Sequence, residues 1–470
     1  MDPIAAIATG SAASAIGVIR ISGADCFAAC GRVFRPANGL PFSAQPPRKL
    51  VMGEMLDSRG QVVDRGMAVR FPAPHSYTGE DAAEFHCHGS PVVLREVLAA
   101  LFAAGARQAA AGEFTKRAFL NGRMDLTQAE AVIDLIDAET AAAARNAAAQ
   151  LDGGLRRALE PVEESLLEVT SRFYAVVDYP DEDIEDAGPE EIRQAMAAAE
   201  KALTRLLDSC KRGRVLKKGV RTAIVGLPNA GKSSLLNALA GYDRAIVTDV
   251  PGTTRDTVEE SVLCGGVLLR LTDTAGLRET ADPVEQKGVE RSRRAMEGAE
   301  LILLVSDDLV EPEAPRPPAY WEGYRGLLSE VGRGKTPWIF VASKRDLSGK
   351  TAGSLGVIGD ADWNGPAAYV SLSSVTGEGL EDLERAVADL FPAGDGGEAG
   401  SLLTDQRQED AARRARDAVR RAMEALEGGL TPDAVLTDAE EALDAVGELT
   451  GRTAREEIVE RIFSRFCVGK

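Results

Sequence analysis

Between Gly226 and Ser233 the chain reads Gly226-Leu-Pro-Asn-Ala-Gly231-Lys232-Ser233, a G-x-x-x-x-G-K-S spacing with a defined chemistry. Its glycines let backbone N–H groups curl around a phosphate, Lys232 can reach the terminal phosphates, and the Ser233 hydroxyl suits Mg²⁺. The apolar run Arg221-Thr-Ala-Ile-Val before it reads as a strand, and Ser234-Leu-Leu-Asn-Ala-Leu after it reads as a helix. That is the context a phosphate loop requires, so Asn229, Ala230, Gly231, Lys232, Ser233 and Ser234 are candidate phosphate contacts.

Further segments follow in a fixed order. Thr248-Asp-Val-Pro-Gly-Thr-Thr-Arg-Asp256 supplies Thr248, Thr253 and Thr254, the last offering a hydroxyl to Mg²⁺ beside Ser233. Asp273-Thr-Ala-Gly276 closes the apolar run Val267–Leu271; Asp273 can hold the ion through water, and the Gly276 amide can meet a γ-phosphate. Ser343-Lys344-Arg-Asp346 and Ser373-Ser374 follow two more apolar runs. Asp346 can accept hydrogen bonds from N1 and N2 of guanine, Ser373 and Ser374 close the base pocket, and Lys344 is a further candidate GTP contact. Asn is usual where Ser343 stands, which predicts weaker nucleotide affinity with guanine preference kept by Asp346. Together these read as a GTP switch.

The residue after Gly276 is Leu277, which cannot orient an attacking water. Two features can compensate. Asn229, the carbonyls of Thr248 and Val250, and Thr253 can form a K⁺ site acting where an arginine finger acts elsewhere. Glu285 can orient water, against the alternative of a solvated acid at a helix start. Arg255 and Arg278 are rival charge stabilisers, although arginines in such loops more often form structural ion pairs.

At the scale of the whole chain, 470 residues predict two to four domains, and a net charge of −19 argues against a broad nucleic-acid-coating surface. Six scattered cysteines suit a reducing compartment rather than a disulfide frame. No apolar run approaches the roughly 20 residues of a membrane span. The first basic residue is Arg20, so a signal peptide is not expected and the chain is read as cytoplasmic.

The expected organisation is multi-domain α/β. Residues 1–118 mix short strands (Ile4–Thr9, Gly17–Ser22, Val62–Phe71, Ala83–His88) with a helix near Val92–Phe102, an α+β domain. Residues 119–216 turn helical: Thr127-Gln-Ala-Glu130 reads as a capping box. Leu155, Leu159, Val162, Leu166, Val169, Phe173 and Val176 form a heptad seam that Pro161 should kink or delay. A further helix opens at Pro189 and is expected to end near Cys210. Residues 217–392 alternate strands and helices as a doubly wound sheet does. Residues 393–470 return to helix, with Pro432 opening one and Thr453-x-x-Glu456 capping another. The helical part is therefore read as discontinuous, with the nucleotide domain inserted into it.

Two further groups have suggestive spacing. Glu84, His86 and His88 alternate on one strand face, a metal-like pattern without a fourth ligand. Arg407, Arg413, Arg414, Arg416, Arg420 and Arg421 are read as a solvated face paired with acids, with an RNA-backbone patch as the minor alternative.

The chain resembles the MnmE (TrmE) family of tRNA-modification GTPases along nearly its whole length. The matching blocks are Gly17-Val-Ile-Arg20-Ile-Ser-Gly23, Ser76-Tyr-Thr-Gly-Glu-Asp81, Gly112-Glu-Phe-Thr, Arg117-Ala-Phe-Leu-Asn121, the segments Thr248–Asp256 and Asp273–Glu279, and the ending Phe463-Ser-Arg-Phe466-Cys467-Val-Gly-Lys470. The resemblance implies a Ras-like G domain and a homodimer joined through N-terminal domains that bind 5-formyl- or methylene-tetrahydrofolate. It also implies K⁺-dependent G-domain pairing and a heterotetramer with the FAD protein MnmG. The pair would install an aminomethyl or carboxymethylaminomethyl group at C5 of the wobble uridine of tRNA. Arg20, Glu84 and Arg123 match folate-contacting positions, with Lys470 a further contributor. Arg123 stands where Lys is common, and Thr9-Gly-Ser-Ala-Ala-Ser-Ala-Ile16 departs from the usual Gly-Arg-Gly-Gly turn. Cys467 is a candidate nucleophile toward C6 of uridine or in one-carbon transfer, against the reading of a buried small apolar residue. The rival functions are a ribosome-assembly switch and a folate-binding scaffold with weak GTPase activity.

Overall fold

The computed structural model describes residues 1–178, 189–242, 260–271, 295–307, 318–349, 364–392 and 400–469. The chain forms two compact units. One comprises Met1–Ile133, Gln150–Leu203 and Asp410–Lys470; the other comprises Asp134–Ala149 and Thr204–Glu409.

The first unit begins with a seven-stranded sheet in the order β3-β4-β5-β6-β2-β1-β7. Its strands are β1 (Ile4–Ile7), β2 (Ser14–Ser22), β3 (Phe34–Pro36), β4 (Val51–Leu56), β5 (Val62–Phe71), β6 (Ala82–Gly89) and β7 (Arg107–Gln108). Helices α1 (Cys26–Val33) and α2 (Pro91–Ala103) share an apolar core with the sheet, in which Ile19, Ile21, Phe34, Phe85, Val97 and Leu101 are buried. Pro91 sits at the first turn of α2, where its missing N–H costs nothing. β3, β4 and α1 go beyond the elements read from the sequence: β4 is short and carries Gly53 and Glu54, which blur its alternation.

Helices α3 (Glu113–Leu120), α4 (Leu126–Ile136), α5 (Ala141–Leu151), α6 (Gly154–Asp178) and α7 (Pro189–Lys218) follow. The capping box lies two residues earlier than expected. Asp125 Oδ1 accepts the Gln128 N–H at 2.9 Å, and Gln128 Oε1 accepts the Asp125 N–H at 3.0 Å. Asp caps as well as Thr does, and Gln closes the reciprocal bond. α6 starts at Gly154 and continues through Pro161 without delay, and Leu155, Leu159, Val162, Leu166 and Val169 of its seam are buried. α7 runs past Cys210 to Lys218, because Leu216 supplies another buried position.

The second unit holds a six-stranded sheet in the order β13-β12-β11-β8-β10-β9. These are β8 (Val220–Val225), β9 (Glu260–Cys264), β10 (Val267–Leu271), β11 (Leu301–Ser306), β12 (Trp338–Ala342) and β13 (Ala368–Ser371). All neighbours are parallel except β9 with β10. β11 and β12 are buried at every position, as central strands covered on both faces must be. The helices are α8 (Lys232–Tyr242), α9 (Pro318–Arg333), α10 (Arg345–Ser348) and α11 (Leu380–Leu390).

The last helices are α12 (Gln406–Glu427), α13 (Pro432–Thr450) and α14 (Glu456–Phe463). Pro432 occupies the first turn of α13, but Thr453 does not cap α14: its hydroxyl donates to the Asp444 carbonyl at 2.8 Å. The alanines Ala411, Ala415, Ala418, Ala422 and Ala425 bury a stripe of α12, and Val435, Ala439, Ala442, Val446 and Leu449 bury one of α13 at the same four-three spacing as α6.

Candidate functional site

In the second sheet the chain moves to one side of β8 for β9 and β10 and to the other for β11 onward, so the strand order reverses at β8. Ligands of such sheets bind beyond the carboxyl ends of the strands at that reversal. The register places Leu304 beside Val225, Ser306 beside Ala342 and Ala342 beside Ser371, so four strand ends are level. The phosphate loop, Ser306-Asp307, Ser343–Asp346 and Ser371–Ser374 therefore share one edge.

The loop is shaped by close approach. A Cβ on Gly226 would lie 2.2 Å from the Val305 carbonyl oxygen, so only glycine lets β8 pass β11 there. Asn229 adopts φ 63°, the left-handed conformation that Asn tolerates better than most residues, and its side chain is exposed. Lys232 donates to the carbonyls of Gly226 at 2.9 Å and Leu227 at 2.8 Å, which hold its ammonium over the loop. Burial pushes its pKa down from the usual lysine value. Ala230 is buried, while Gly231 and Ser233 are half-buried and Ser234 is exposed at the start of α8.

Ser343 is 3% exposed and its hydroxyl faces the loop. Oγ lies 2.6 Å from the Ala230 carbonyl and 3.1 Å from the Ser306 carbonyl, and Ser343 N–H donates to the same Ser306 carbonyl at 2.8 Å. Its single hydroxyl proton is thus engaged within the protein. Lys344 turns the chain with φ 58° and its ammonium pairs with Asp307 at 2.9 Å. Asp346 is exposed in the first turn of α10, at the carboxyl end of β12. The Ser373 hydroxyl accepts the N–H groups of Val375 at 3.3 Å and Thr376 at 3.2 Å, curling the chain so that Val375 projects 84% exposed. Thr248, Val250, Thr253, Thr254, Arg255, Asp273, Gly276, Leu277, Arg278, Glu285 and Lys470 lie outside the described residues.

In the first unit, Arg20 of β2 and Glu84 of β6 stand directly opposite each other. Arg20 Nε and Nη2 contact Glu84 Oε1 at 3.0 and 2.9 Å, and the guanidinium lies 5.4 Å from the Tyr77 ring and 5.7 Å from the Phe114 ring. Burial raises the Tyr77 pKa, against the Thr115 hydrogen bond and the Arg20 charge. His86 Nε2 is buried without a hydrogen-bond partner, 3.7 Å from Glu84 Oε2. Exposed Arg123 sits on the turn after α3, which Asn121 ties to the Ser76–Asp81 loop through a 2.7 Å bond to the Thr78 carbonyl. His88 binds Asp64 at 2.7 Å rather than joining Glu84 and His86, and no metal-ligating group of three occurs among the described residues.

The chain's end lies against this domain. Val468 bridges Ala111, and a Cβ on Gly469 would fall 2.4 Å from the Ile7 carbonyl oxygen. Cys467 is exposed, which overturns the reading of a buried apolar residue; the other five cysteines are buried.

Residues 3–123 match the GTP-binding protein TrmE N-terminus, and residues 126–467 match the MnmE helical domain. The tRNA modification GTPase MnmE of Symbiobacterium thermophilum is 44% identical, covering 100% of this chain and 99% of its own length. A Thermus thermophilus protein of the same description is 42% identical with the same coverage. The chain belongs to the MnmE (TrmE) family of tRNA-modification GTPases. It is accordingly a GTP hydrolase. Among solved structures, the G domain of the T. maritima FeoB iron transporter is 29% identical, covering 36% of this chain and 97% of its own at a TM-score of 0.24, too low to bear on the fold.

Several residues at these sites escaped the sequence reading. Asp307 carried a signal, an acid closing an apolar strand, but its pairing with Lys344 depends on neighbouring strands. Tyr77 and Phe114 lay inside matched blocks without a stated role. His86 stood out only for its metal-like spacing. Four of the six α12 arginines pair with acids: Arg414 with Glu448, Arg416 with Asp417, Arg420 with Glu200, and Arg421 with Asp438 and Glu441.

Proposed function

We propose that this chain is a K⁺-dependent GTPase that acts with an FAD-containing, MnmG-type partner. Together they add an aminomethyl or carboxymethylaminomethyl group to C5 of the wobble uridine of certain tRNAs. The one-carbon unit comes from 5-formyl- or methylene-tetrahydrofolate. The observation that carries the reading is the convergence of the phosphate loop, Ser343–Asp346 and Ser373-Ser374 at one sheet edge, in a chain whose other parts match the TrmE N-terminus and MnmE helical families.

Lys232 would exchange its two loop carbonyls for phosphate oxygens, which suit an ammonium better because they are charged. Asp346 would read guanine, and Lys344, Ser373 and Ser374 would flank it. Mg²⁺ would be held by Ser233 and Thr254, and K⁺ by Asn229, Thr248, Val250 and Thr253. Both ions would supply positive charge where negative charge develops on the phosphates. Asp273 and Gly276 would sense the γ-phosphate, and Glu285 would orient water in place of the Gln that Leu277 replaces. Thr254 and Gly276 lose that anchor on hydrolysis, which releases the loops.

Arg20, Glu84, Arg123 and Lys470 would hold the folate. The unpartnered His86 Nε2 beside Glu84 fits such a site, since a polar ligand there would satisfy a buried ring nitrogen. Cys467 is the candidate nucleophile. The domain divisions at 118, 216 and 392, the homodimer, the heterotetramer and the cytoplasmic location are parts of the same reading; no described helix is long and apolar enough to cross a membrane. Mass spectrometry of tRNA nucleosides from cells with and without the chain tests it. Loss of the C5-modified wobble uridine is expected on deletion; an unchanged nucleoside profile would refute it.

A further inference from the structure

In a chain of net charge −19, an RNA must meet a local basic surface. The ion pairs of α12 remove the most obvious candidate. Arg414, Arg416, Arg420 and Arg421 each face at least one carboxylate, and Arg452 pairs with Glu163. A phosphate would have to displace those partners.

α14 differs. Its buried side is Val459, Ile462 and Phe463, continued by Phe466, and this packs with Leu126 and Ala129 of α4. Arg461 on α14 and Arg465 just beyond it are both exposed, and neither forms an ion pair among the described residues. Arg461 lies in the last turn of the helix and Arg465 in the turn that follows it, so four residues of chain bring two exposed guanidinium groups to one end of α14. Two residues beyond Arg465 comes the exposed Cys467. On the adjoining side of α14 a cleft of about 530 Å³ opens toward α3, lined by Leu120, Phe463 and Ser464 and by Arg107 and Lys116, which pair with Glu113 and Glu460 of the same lining. A surface with two unpaired guanidinium groups beside a partly apolar cleft whose own charges are internally paired suits a nucleotide chain: phosphates on the arginines, a base within the cleft.

We propose that Arg461 and Arg465 form an RNA-backbone docking surface that holds the tRNA beside Cys467. The proposal rests on the tRNA-modifying function above and names the surface it uses. The two arginines supply phosphate contacts and no sequence reading, so they position the RNA rather than select it.

The test is tRNA binding by the full-length chain, measured as affinity against salt concentration, for the parent, R461A/R465A and R461K/R465K. Removing two phosphate contacts should make the slope of log K against log salt shallower by about 1.4–1.8 and weaken binding about 25- to 60-fold at 0.1 M salt. The lysine pair should restore the slope, GTP turnover should be unchanged in both variants, and far-UV circular dichroism and thermal unfolding equal to the parent's show that the unit carrying the substitutions folds. A slope and affinity equal to the parent's in R461A/R465A would overturn the assignment. So would intact tRNA binding with lost binding of the flavoprotein partner, which would make the surface a protein interface. If the parent itself binds no tRNA, the broader function fails, not the placement alone.

Discussion

Replacing Ser343 by alanine separates two roles for a residue that stands where an asparagine is usual. The serine hydroxyl has one proton to donate and two carbonyl oxygens within reach, at 2.6 Å on Ala230 and 3.1 Å on Ser306. Ser306 keeps the Ser343 N–H at 2.8 Å, so the loss falls on the Ala230 carbonyl, at a position 3% exposed. Removing a donor from a buried acceptor costs about 1–2 kcal/mol, before any nucleotide is considered. For a unit of this size that is a fall of about 2–8 °C in its unfolding midpoint. The assay is thermal unfolding of S343A and parent without nucleotide, beside GTP affinity by calorimetry. An unfolding midpoint equal to the parent's, with GTP affinity reduced, would refute the reasoning, because the hydroxyl would then be serving the base and not the loop.

Three other substitutions test separate parts of the account. D346N should weaken GTP binding by about 3 kcal/mol, over a hundredfold, as a charge-assisted acceptor pair is lost, and should improve xanthosine triphosphate binding; competition binding with the two nucleotides reads both. E285A should slow GTP turnover severalfold or more in single-turnover assays while leaving GTP affinity within about twofold, since a water-orienting group acts only in the transition state. E113Q probes the ion network under α3. Burial pushes the Glu113 carboxyl up, but the Arg107 hydrogen bond, the Ala110 amide and Arg117 outweigh it and hold the pKa at about 2, below the ordinary 4.5. The folded value is depressed, so its stabilisation is present above about pH 4.5 and is lost as pH falls toward 2. Chemical unfolding should therefore show E113Q less stable than the parent at about pH 7, with the gap closing in acid.

Family membership, the phosphate loop and the strand-helix alternation were legible because their determinants are local. Gly226 and Gly231 are needed where the backbone itself must bend, and Lys232-Ser233 must follow at a fixed distance. The α6 seam was legible for a similar reason: Leu and Val at four-three spacing announce a buried face. The equivalent seams of α12 and α13 are built largely from alanine, whose small apolar surface gives little periodic contrast, so they emerged only in the fold. Cap residues were misplaced for a comparable reason. Thr127, Asp125 and Thr453 can all cap, and the choice of Asp125 over Thr127, and of Asp444 as the partner of Thr453, depends on where each helix is held by its neighbours.

What the amino-acid order determined by itself was which chemical groups are available and which short segments carry them. Only the tertiary structure decided which of those groups meet. Parallel register levels the ends of β8, β11, β12 and β13, bringing Ser343 to Ala230 and Lys344 to Asp307 across long stretches of chain. Antiparallel register sets Arg20 opposite Glu84. The same packing spends Arg414, Arg416, Arg420 and Arg421 of α12 on acids, and it leaves Arg461, Arg465 and Cys467 open to solvent. Such outcomes depend on burial and partner geometry between distant residues, and neither has a signature at any fixed spacing along the sequence.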